Sequence, residues 1–518
     1  MHAELTLEMA AGPPTRGGAA APVAPPALVR RMEVVGTSLP PEAIRRLSAR
    51  FLDRPLDAAT GAEAAAALDS ALRRADTHLF MVGAPGVGAN GVLTLAAIEG
   101  RVVALDVEGG SAGLRRRVRA AAGRLLAERP LRRASFERVA ALLALLPGVR
   151  AGTAFVVTPE PGAMRLRVLL VEHRARVDLK LSNRGAEAFG AWRGQAEARA
   201  YGLLAPGDQA VLSVGAAPDL DRLRLVGGTY VRPLGADGLT LVASATHVEG
   251  RPYGPGAASS GFSALAALAY PVVLRAGRTL TLTAAADAQD GRSTSGALTT
   301  GDERTRNLRF AVAGARLLGA GALATGGATL TAGLAALGAR AARPGYAPTG
   351  YGKLQAFAAI SVPRGDWTFR LRAAGQAAGS RLPFSEQFTL GGDDYGRGFR
   401  GGALQGDDGF AAAAEAARTL RRAAGPIGAV EAFAYLDAGG VRLRRRPGEP
   451  PRSEAGGLAS AGAGVRVGTG PAAGLELTAD RALVYDDPLG RRDGGWRLGL
   501  RLHLAWEALS TELRRPRT

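Results

Sequence analysis

Two stretches of the sequence combine residue types that could do chemistry, and the first suggests nucleotide binding. Residues 86–91 (GVGANG) match the G-x-G-x-x-G pattern that holds a pyrophosphate in dinucleotide-binding proteins, and Asp106 follows at a distance suited to a ribose contact. That chemistry requires a helix directly after the glycines, because the helix N-terminus faces the pyrophosphate. Residues 92–95 (VLTL) predict a strand instead. The pattern therefore indicates a loop, and no cofactor is expected.

The second stretch, residues 382–402 (LPFSEQFTLGGDDYGRGFRGG), suggests ion pairing rather than catalysis. It is too long for a turn, and a glycine-rich segment with several aromatic residues is expected to pack against the rest of the chain. Its Arg397 carries a guanidinium that can bind a carboxylate through two parallel hydrogen bonds. Downstream, residues 431–437 (EAFAYLD) predict a strand on which Glu431 and Asp437 point the same way. This strand is the candidate partner of the loop.

Other reactive constellations are missing from the sequence. The chain has no cysteine, which excludes disulfides, thiolate zinc sites, iron–sulfur centres and a cysteine nucleophile. No Ser/His/Asp arrangement can be argued. The histidines show no metal-ligand spacing; they are His2, His78, His173, His247 and His503. No catalytic, metal-binding or cofactor-binding residue is predicted, and the chain is not expected to be an enzyme.

The net charge does not indicate nucleic-acid binding. Lys and Arg number 65 against 46 Asp and Glu, a net charge of +19, and Lys180 and Lys353 are the only lysines. The arginines are scattered and form no patch with interleaved aromatic residues, so no nucleic-acid partner is expected. Hydrophobic residues at 47% exclude a largely disordered chain. A length of 518 residues predicts two or three domains, or one large closed sheet.

Residues 173–507 predict a transmembrane β-barrel. Segments of about ten residues alternate apolar and polar side chains between turns rich in Gly, Pro and Asp, and about sixteen such segments can be counted. A soluble β-sandwich also alternates, but it does not usually sustain the pattern over such a length. The clearest segment places on one face Trp496, Leu498, Leu500, Leu502, Leu504 and Trp506. The favoured fold is a sixteen-stranded antiparallel membrane barrel.

The N-terminal part predicts two small α+β modules. Residues 28–108 read as strand, helix, helix, strand and strand, the last strand covering 101–107. Residues 109–172 repeat a similar order with two helices and two strands. Residues 1–27 predict a Pro/Gly/Ala-rich segment and linker, and residues 508–518 a C-terminal tail.

Neither a helical membrane span nor a signal peptide is predicted. The longest uncharged stretch, residues 317–339, is long enough for a spanning helix, but glycines interrupt it, and Gly326-Gly327 predicts a turn between two strands. Residues 1–10 carry Glu4 and Glu8 and have no sustained apolar segment. Such a start implies a cytoplasmic protein and conflicts with a membrane barrel, which a misplaced or truncated start would reconcile.

The loop and the downstream strand resemble the signature of the Omp85 superfamily, in particular of the two-partner secretion transporters (the ShlB/FhaC/HecB haemolysin secretion/activation family). Arg397-Gly398-Phe399 is similar to the family's [VG]-R-G-[YF] motif in an inward loop, and Tyr435-Leu436-Asp437 to its [FY]-x-D motif on a neighbouring strand. The modules at 28–108 and 109–172 resemble its two POTRA domains. Residues 182–185 (SNRG) resemble its opening barrel strand.

The resemblance implies a latch between the loop and the barrel wall. Arg397 is expected to pair with Asp437, and Phe399 and Tyr435 to shield the pair from water. The residues assigned to the latch are Arg397, Gly398, Phe399, Tyr435 and Asp437, and those assigned to loop packing are Gly391, Gly392, Tyr395 and Gly396. The alternative is that Arg397 only neutralises Asp393 and Asp394 in a solvated loop.

The function implied by the resemblance is export of a partner exoprotein across the outer membrane of a Gram-negative bacterium. Periplasmic POTRA domains would capture a cargo with an N-terminal secretion domain, and the barrel would pass it outward. Outer-membrane lipids and lipopolysaccharide are the other expected partners, and a monomer is expected. Two alternatives stay open: another Omp85 role in assembling or inserting membrane proteins, and a passive porin. The plug helix that many family members carry is not evident in residues 1–10, and the sequence does not identify the cargo.

Overall fold

The computed structural model describes residues 27–88, 90–253, 256–421, 428–447, 454–468, 472–487 and 494–509. The segment predicted at residues 1–27 and the tail predicted at 508–518 thus lie almost wholly outside the described residues. Two compact units are present. One comprises the described residues up to Arg101 with residues 129–132 and 160–162, and the other comprises the remaining described residues.

The first unit is a small α+β module built around its last strand. Its elements are β1 (Arg31–Val35), α1 (Pro41–Ser48), α2 (Ala58–Arg74), β2 (Phe80–Val82), β3 (Gly86–Gly88) and β4 (Val92–Glu99). β1 runs parallel to β4, whereas β2 and β3 pair with it antiparallel. Apolar residues at helical spacing place Leu68 and Leu72 of α2 in one buried core with Leu93 and Leu95 of β4. A strand follows the glycine pattern at 86–91, as predicted, and not the helix that a dinucleotide site needs.

The second unit begins with another α+β module. Its elements are β5 (Arg101–Gly109), α3 (Ala112–Ala122), α4 (Arg133–Ala144), β6 (Val149–Val157) and the first half of β7 (Ala163–Ser182). β5 and β6 both pair with β7. β5 was expected to close the first module, but it opens the second, so the boundary moves from residue 108 to about residue 100. Alternation predicts a strand here without saying which neighbour it pairs with, and that choice depends on contacts such as the Arg165–Asp106 ion pair at 3.0 Å.

Sixteen antiparallel strands within the described residues form a closed barrel, as predicted. The second half of β7 is its first strand. The next strands are β8 (Arg193–Tyr201), β9 (Gln209–Ala216), β10 (Leu223–Leu234), β11 (Leu239–Gly250), β12 (Ala257–Arg275), β13 (Arg278–Ser295), β14 (Leu298–Leu317), β15 (Leu323–Gly333), β16 (Gly352–Arg364) and β17 (Trp367–Ala378). After two short strands, β18 (Phe388–Leu390) and β19 (Leu404–Gly406), the barrel continues with β20 (Asp408–Arg421), β21 (Ala429–Arg442), β22 (Ala455–Gly468), β23 (Ala473–Asp486) and β24 (Trp496–Leu509). β24 pairs with β7 from Arg501 opposite Ser182 to Leu509 opposite His173, which closes the sheet.

The turn predicted at Gly326-Gly327 is wrong, because both glycines lie inside β15. They pair with β14 on one side and β16 on the other. A Cβ at position 327 would come within 2.7 Å of the Phe357 ring, so glycine is needed here to make room for an aromatic side chain. Within the described residues no helix has both the length and the apolar character that a membrane span requires.

The register predicted for β24 is confirmed. Its outer row is apolar and exposed, with Leu498 at 79% and Trp496 at 67% of full exposure. Its inner row is polar: Arg501 pairs with Glu476 at 3.2 Å and His503 with Asp178 at 3.0 Å. An apolar outer row with tryptophan at both ends matches the hydrocarbon core of a bilayer and its two interfaces.

This orientation predicts that Leu500→Arg destabilises the barrel by about 2–4 kcal/mol, because it places a charge against lipid near the middle of the outer row. Arg501→Leu, on the inner row of the same strand, should cost much less, since Glu476 keeps a second arginine, Arg466, at 2.7 Å. Unfolding titrations in lipid vesicles measure both changes. If Arg501→Leu proves the more damaging, the register assigned to β24 is wrong by one residue.

Candidate functional site

The segment between β17 and β20 folds inward and packs against the barrel wall. β18 and β19 pair as a short hairpin, with Phe388 opposite Gly406 and Leu390 opposite Leu404. Leu390, Phe399 and Leu404 share a buried core with the wall residues Ala411, Val441 and Leu458. Apolar burial thus fixes the body of this segment, residues 379–407, which is called the inward loop below.

Glycines shape the tip of the inward loop. Gly391, Gly392 and Gly396 have φ values of 97°, 96° and 79°, which a residue with a side chain rarely adopts. The chain folds back on itself there, because the Gly391 N–H donates to the Tyr395 carbonyl at 2.8 Å. The guanidinium carbon of Arg372 lies 5.2 Å from the centroid of the Tyr395 ring. The four residues predicted to pack the loop thus lie together in this fold-back.

Arg397 lies in a buried site between two carboxylates. Its Nε donates to Oδ2 of Asp437 at 3.3 Å, and its Nη1 to Oε2 of Glu415 at 3.0 Å. The ring of Tyr435 lies 3.3 Å from the guanidinium carbon. The structure therefore brings Arg397 and Asp437 together, but not through the bidentate contact that was expected. The guanidinium bridges Asp437 on β21 to Glu415 on β20, and cation–π contact with Tyr435 covers one of its faces.

Phe399, expected to shield the Arg397 pair, lies elsewhere. It is buried and stacks on Tyr485 of β23, with 5.3 Å between ring centroids. Asp393, the alternative partner of Arg397, lies 3.4 Å from Arg501 and 3.6 Å from Arg184 instead. Electrostatic neutralisation within the loop therefore does not account for the position of Arg397.

Several residues that the sequence did not single out complete this site. Ser460 of β22 accepts a hydrogen bond from the Gly398 N–H at 3.0 Å and donates to Asp437. A Cβ at Gly398 would lie 2.7 Å from Ser460 Cβ, so the loop backbone touches the wall directly. Arg184 donates to the Arg397 carbonyl at 3.1 Å and pairs with Asp480 of β23, which also accepts from the Tyr435 hydroxyl at 2.7 Å. Arg184 stands in the segment 182–185 that carried part of the resemblance, which was the one sequence signal for it.

The base of the inward loop is held by a second buried carboxylate. Glu386, whose side chain is 1% exposed, pairs with Arg309 of β14 at 2.7 Å and with Lys353 of β16 at 2.8 Å. Arg309 also contacts Asp287 of β13, and Asn307 donates to both acids. This cluster was not predicted from the sequence, because a single Glu in a loop gives no periodic signal.

A third buried carboxylate joins the two ends of the inward loop. Asp407, at 0% exposure, accepts from the Leu382 N–H at 2.7 Å and from the Arg444 N–H at 2.9 Å. Arg446 contacts both of its oxygens, at 2.6 and 2.8 Å, and lies over the ring of Tyr346 in the segment between β15 and β16. The loop is therefore tied at its tip, at its base and where it begins and ends.

Comparison with known proteins adds to this geometry. The family model described as "Haemolysin secretion/activation protein ShlB/FhaC/HecB" matches residues 169–467, more than half of the chain. The chain belongs to this family. The resemblance stated from the loop motifs is thereby confirmed.

Solved structures similar to this ShlB/FhaC/HecB protein carry the same fold. CdiB from Escherichia coli is 18% identical, with a TM-score of 0.76 over 95% of this chain and 93% of that one. CdiB from Acinetobacter baumannii is 16% identical, with a TM-score of 0.66 over 93% and 90%. BamA from Haemophilus ducreyi lacking POTRA domains 1–3 is 13% identical, with a TM-score of 0.50 over 92% and 100%. A search of curated proteins gave no match.

In this family member, arginines of the second module hold a turn of the barrel. The turn joins β10 and β11, and Arg117 of α3 donates to the carbonyls of Pro233 and Gly235, both at 2.9 Å. Asp237 in the same turn accepts from the Tyr270 hydroxyl at 2.6 Å, and Arg124 and Arg138 contact it at 3.0 and 3.3 Å. These bonds lower the pKa of Asp237 to about 2, the Tyr270 hydroxyl contributing most.

This arrangement predicts a pH dependence for docking of the second module. Because the folded-state pKa of Asp237 lies below its unfolded value, its contribution is complete above about pH 4 and is lost as the pH falls toward 2. Asp237→Asn should therefore make α3 and α4 more sensitive to protease at pH 7, and the difference from wild type should be smaller at pH 2.5. Limited proteolysis of wild type and variant across this range measures the effect. A difference that is equally large at pH 2.5 would mean that the Asp237 carboxylate does not provide the docking energy.

Proposed function

We propose that this protein exports a partner exoprotein across the outer membrane by two-partner secretion. One observation supports this most strongly: a glycine-rich loop carrying the family's R-G-F motif lies inside a closed barrel, with Arg397 between Asp437 and Glu415. A passive porin has no need of such a tied loop. Liposome swelling with intact protein and with a loop-deleted variant tests this point, since deletion of a loop that narrows the passage should strongly increase the rate of swelling.

The two α+β modules are proposed to be periplasmic POTRA domains, and the chain is proposed to act as a monomer among outer-membrane lipids and lipopolysaccharide. Both modules have one strand, then two helices, then the strands that complete the sheet, and this shared order supports the assignment. No catalytic step and no cofactor belong to this proposal. Folding of the cargo outside the cell would provide the driving free energy. Assembly of other membrane proteins is the alternative, and a partner exoprotein that reaches the medium only with this transporter decides against it.

Cargo capture is proposed to use the outer edge of β2, along which no strand pairs within the described residues. Met81 forms the hydrogen-bonded pair with Ile98 of β4, since the Gly83 N–H donates to the Ala96 carbonyl and the Gly100 N–H to the Leu79 carbonyl. By alternation the backbone groups of Phe80 and Val82 point away from β4. An unfolded cargo segment has unpaired backbone groups, so it can add as a strand along this edge.

This geometry predicts that Val82→Pro weakens capture without unfolding the module, because the lost N–H is not one that bonds β4. Val82→Ala keeps the N–H and should bind as wild type. Pull-down of the N-terminal fragment of the partner exoprotein by the full-length transporter compares the variants, with circular dichroism as the folding check. Equal binding of an unrelated unfolded chain would contradict specific capture.

The site predicts that Arg397→Ala abolishes secretion while the barrel stays folded, because Asp437 and Glu415 lose the cation between them. Asp437→Ala should have the same effect, and the double variant should be no worse than either single one. Arg397→Lys should rescue poorly, since an ammonium group cannot bridge two carboxylates and stack on Tyr435 as a planar guanidinium does. Cargo in the medium and heat-modifiable migration of the barrel are the two measurements.

The matched control is Arg418→Ala, which removes an arginine over Trp367 from the outer row of β20 and should leave secretion unchanged. Additive losses from Arg397→Ala and Asp437→Ala would show that the two residues act separately.

A further inference from the structure

Charge is unevenly distributed around the barrel lumen. One row of cross-strand partners runs Arg176, Arg199, Val211, Thr229, Ser244, Leu265, Asp287 and Asn307, from β7 to β14. Cross-strand partners share one face of a sheet, and Asp287 contacts Arg309, which also binds Glu386 of the inward loop, so the whole row faces the lumen. Charged residues stand at both ends of the row, and β9–β12 contribute uncharged residues to its middle.

The lumen-facing residues of β9–β12 are uncharged along the full described length of these strands. Those between the strand ends are Val211, Ser213, Gly215, Leu225, Gly227, Thr229, Val231, Val242, Ser244, Thr246, Val248, Gly261, Ser263, Leu265, Ala267 and Ala269. The charged residues of these strands alternate onto the outer face; they are Arg224, Arg232, Glu249 and Arg275. This lumenal surface of β9–β12 is called the uncharged strip below.

The opposite wall carries the charges, and they are engaged. Glu415 and Glu431 both bind Arg466, at 2.7 and 2.9 Å, and Arg370 at 3.0 and 3.1 Å. The loop anchors Arg397 and Glu386 belong to the same half of the lumen. The inward loop is therefore fixed by ion pairs to β13–β17 and β20–β23, on the far side from the centre of the uncharged strip.

Two cavities of the lumen adjoin these two parts of the wall. The larger, about 820 Å³, is lined on one side by Leu225, Thr246, Val248, Gly261 and Ser263 of the strip, and on the other by Phe384 of the inward loop and by the charged residues Asp290, Arg292, Glu303 and Arg343. A smaller one, about 400 Å³, lies against the loop-bearing wall and is lined by Ser361, Arg370, Arg372, Glu415, Arg466 and Glu476. The larger of these two spaces beside the loop is thus the one that the uncharged strip borders.

We infer that the cargo crosses the barrel in extended form along the uncharged strip, between β9–β12 and the inward loop. An unfolded polypeptide presents charges of both signs in succession. A wall of fixed charges would bind each in turn, whereas the uncharged side chains of the strip bind none of them, and its serine and threonine hydroxyl groups exchange hydrogen bonds readily with a passing backbone. Conduction through a pore likewise requires that no site along it binds too tightly. The inference rests on the proposed function and adds the route to it.

The chain has no cysteine, so single thiols report the route without background. Ser244→Cys lies in the middle of the strip and Ser361→Cys in the charged cavity; both serines are lumen-facing and partly buried. The purified full-length protein is placed in a planar bilayer in potassium chloride, and a bulky neutral methanethiosulfonate is added. We expect modification to lower the conductance about twofold or more at Ser244→Cys and to leave it unchanged at Ser361→Cys.

A negative charge introduced at the same two positions tests whether polypeptide passes along the strip, with the time for which a peptide blocks the conductance as the measurement. The probes are unstructured Gly/Ser peptides of about thirty residues that carry a few positive or a few negative charges. Wild type should be blocked by both for similar times. Ser244→Glu should lengthen the block by the cationic peptide several-fold, and Ser361→Glu should not.

Three outcomes overturn the inference. The reagent lowers the conductance of Ser361→Cys alone, it lowers the conductance of both variants equally, or it lowers the conductance of neither. None of these measurements uses the cargo. If the wild-type protein secretes no partner exoprotein but shows the expected conductance pattern, the result would therefore count against the proposed function and leave the route intact.

Discussion

A guanidinium removed from water must keep anions beside it, and this constraint organises the interior of the barrel. Arg397 is 5% exposed and has Asp437 and Glu415 within 3.3 Å. Removing either the cation or its partners would leave uncompensated charge in a buried site. Glu415 in turn holds Arg466, and Asp437 is fixed by Ser460, which also binds the loop backbone. The loop thus stays where its charges can be satisfied.

The three anchors of the loop act on different parts of the wall. Its tip binds β20–β22, its base binds β14 and β16 through Glu386, and Asp407 joins its two ends through Arg446. Each uses a carboxylate that is almost fully buried, so each resists displacement separately. All of them draw on the wall from β13 to β23, whereas the lumenal surface of β9–β12 is left free of fixed charge. Confinement of the loop and the open passage are two results of one distribution of charge.

Much of the fold could be predicted because apolar and polar side chains alternate along each strand of a barrel wall. Alternation at Trp496–Trp506 gave the correct inner and outer faces, and the motif around Arg397 pointed to Asp437 through the family resemblance. Predictions from local patterns were wrong where contacts between residues distant in sequence determine the structure. Gly326-Gly327 looked like a turn because the Phe357 ring that fills the space above it is distant in sequence. β5 was given to the wrong module, since its pattern fits either neighbour. Glu415 stands in a run of alanines, and Glu386 and Asp407 belong to no periodic pattern, so all three become recognisable only when the strands bring their partners together.

β7 runs for 20 residues without interruption, its first half in the sheet of the second module and its second half in the barrel wall. It is bonded to β6 along the first part and to β8 and β24 along the second, so it is supported laterally over a length of about 65 Å. There is no hinge at the junction. A load applied to the module is therefore transmitted along β7 into the barrel wall, where it acts on the pairing that closes the barrel, between its first strand and its last.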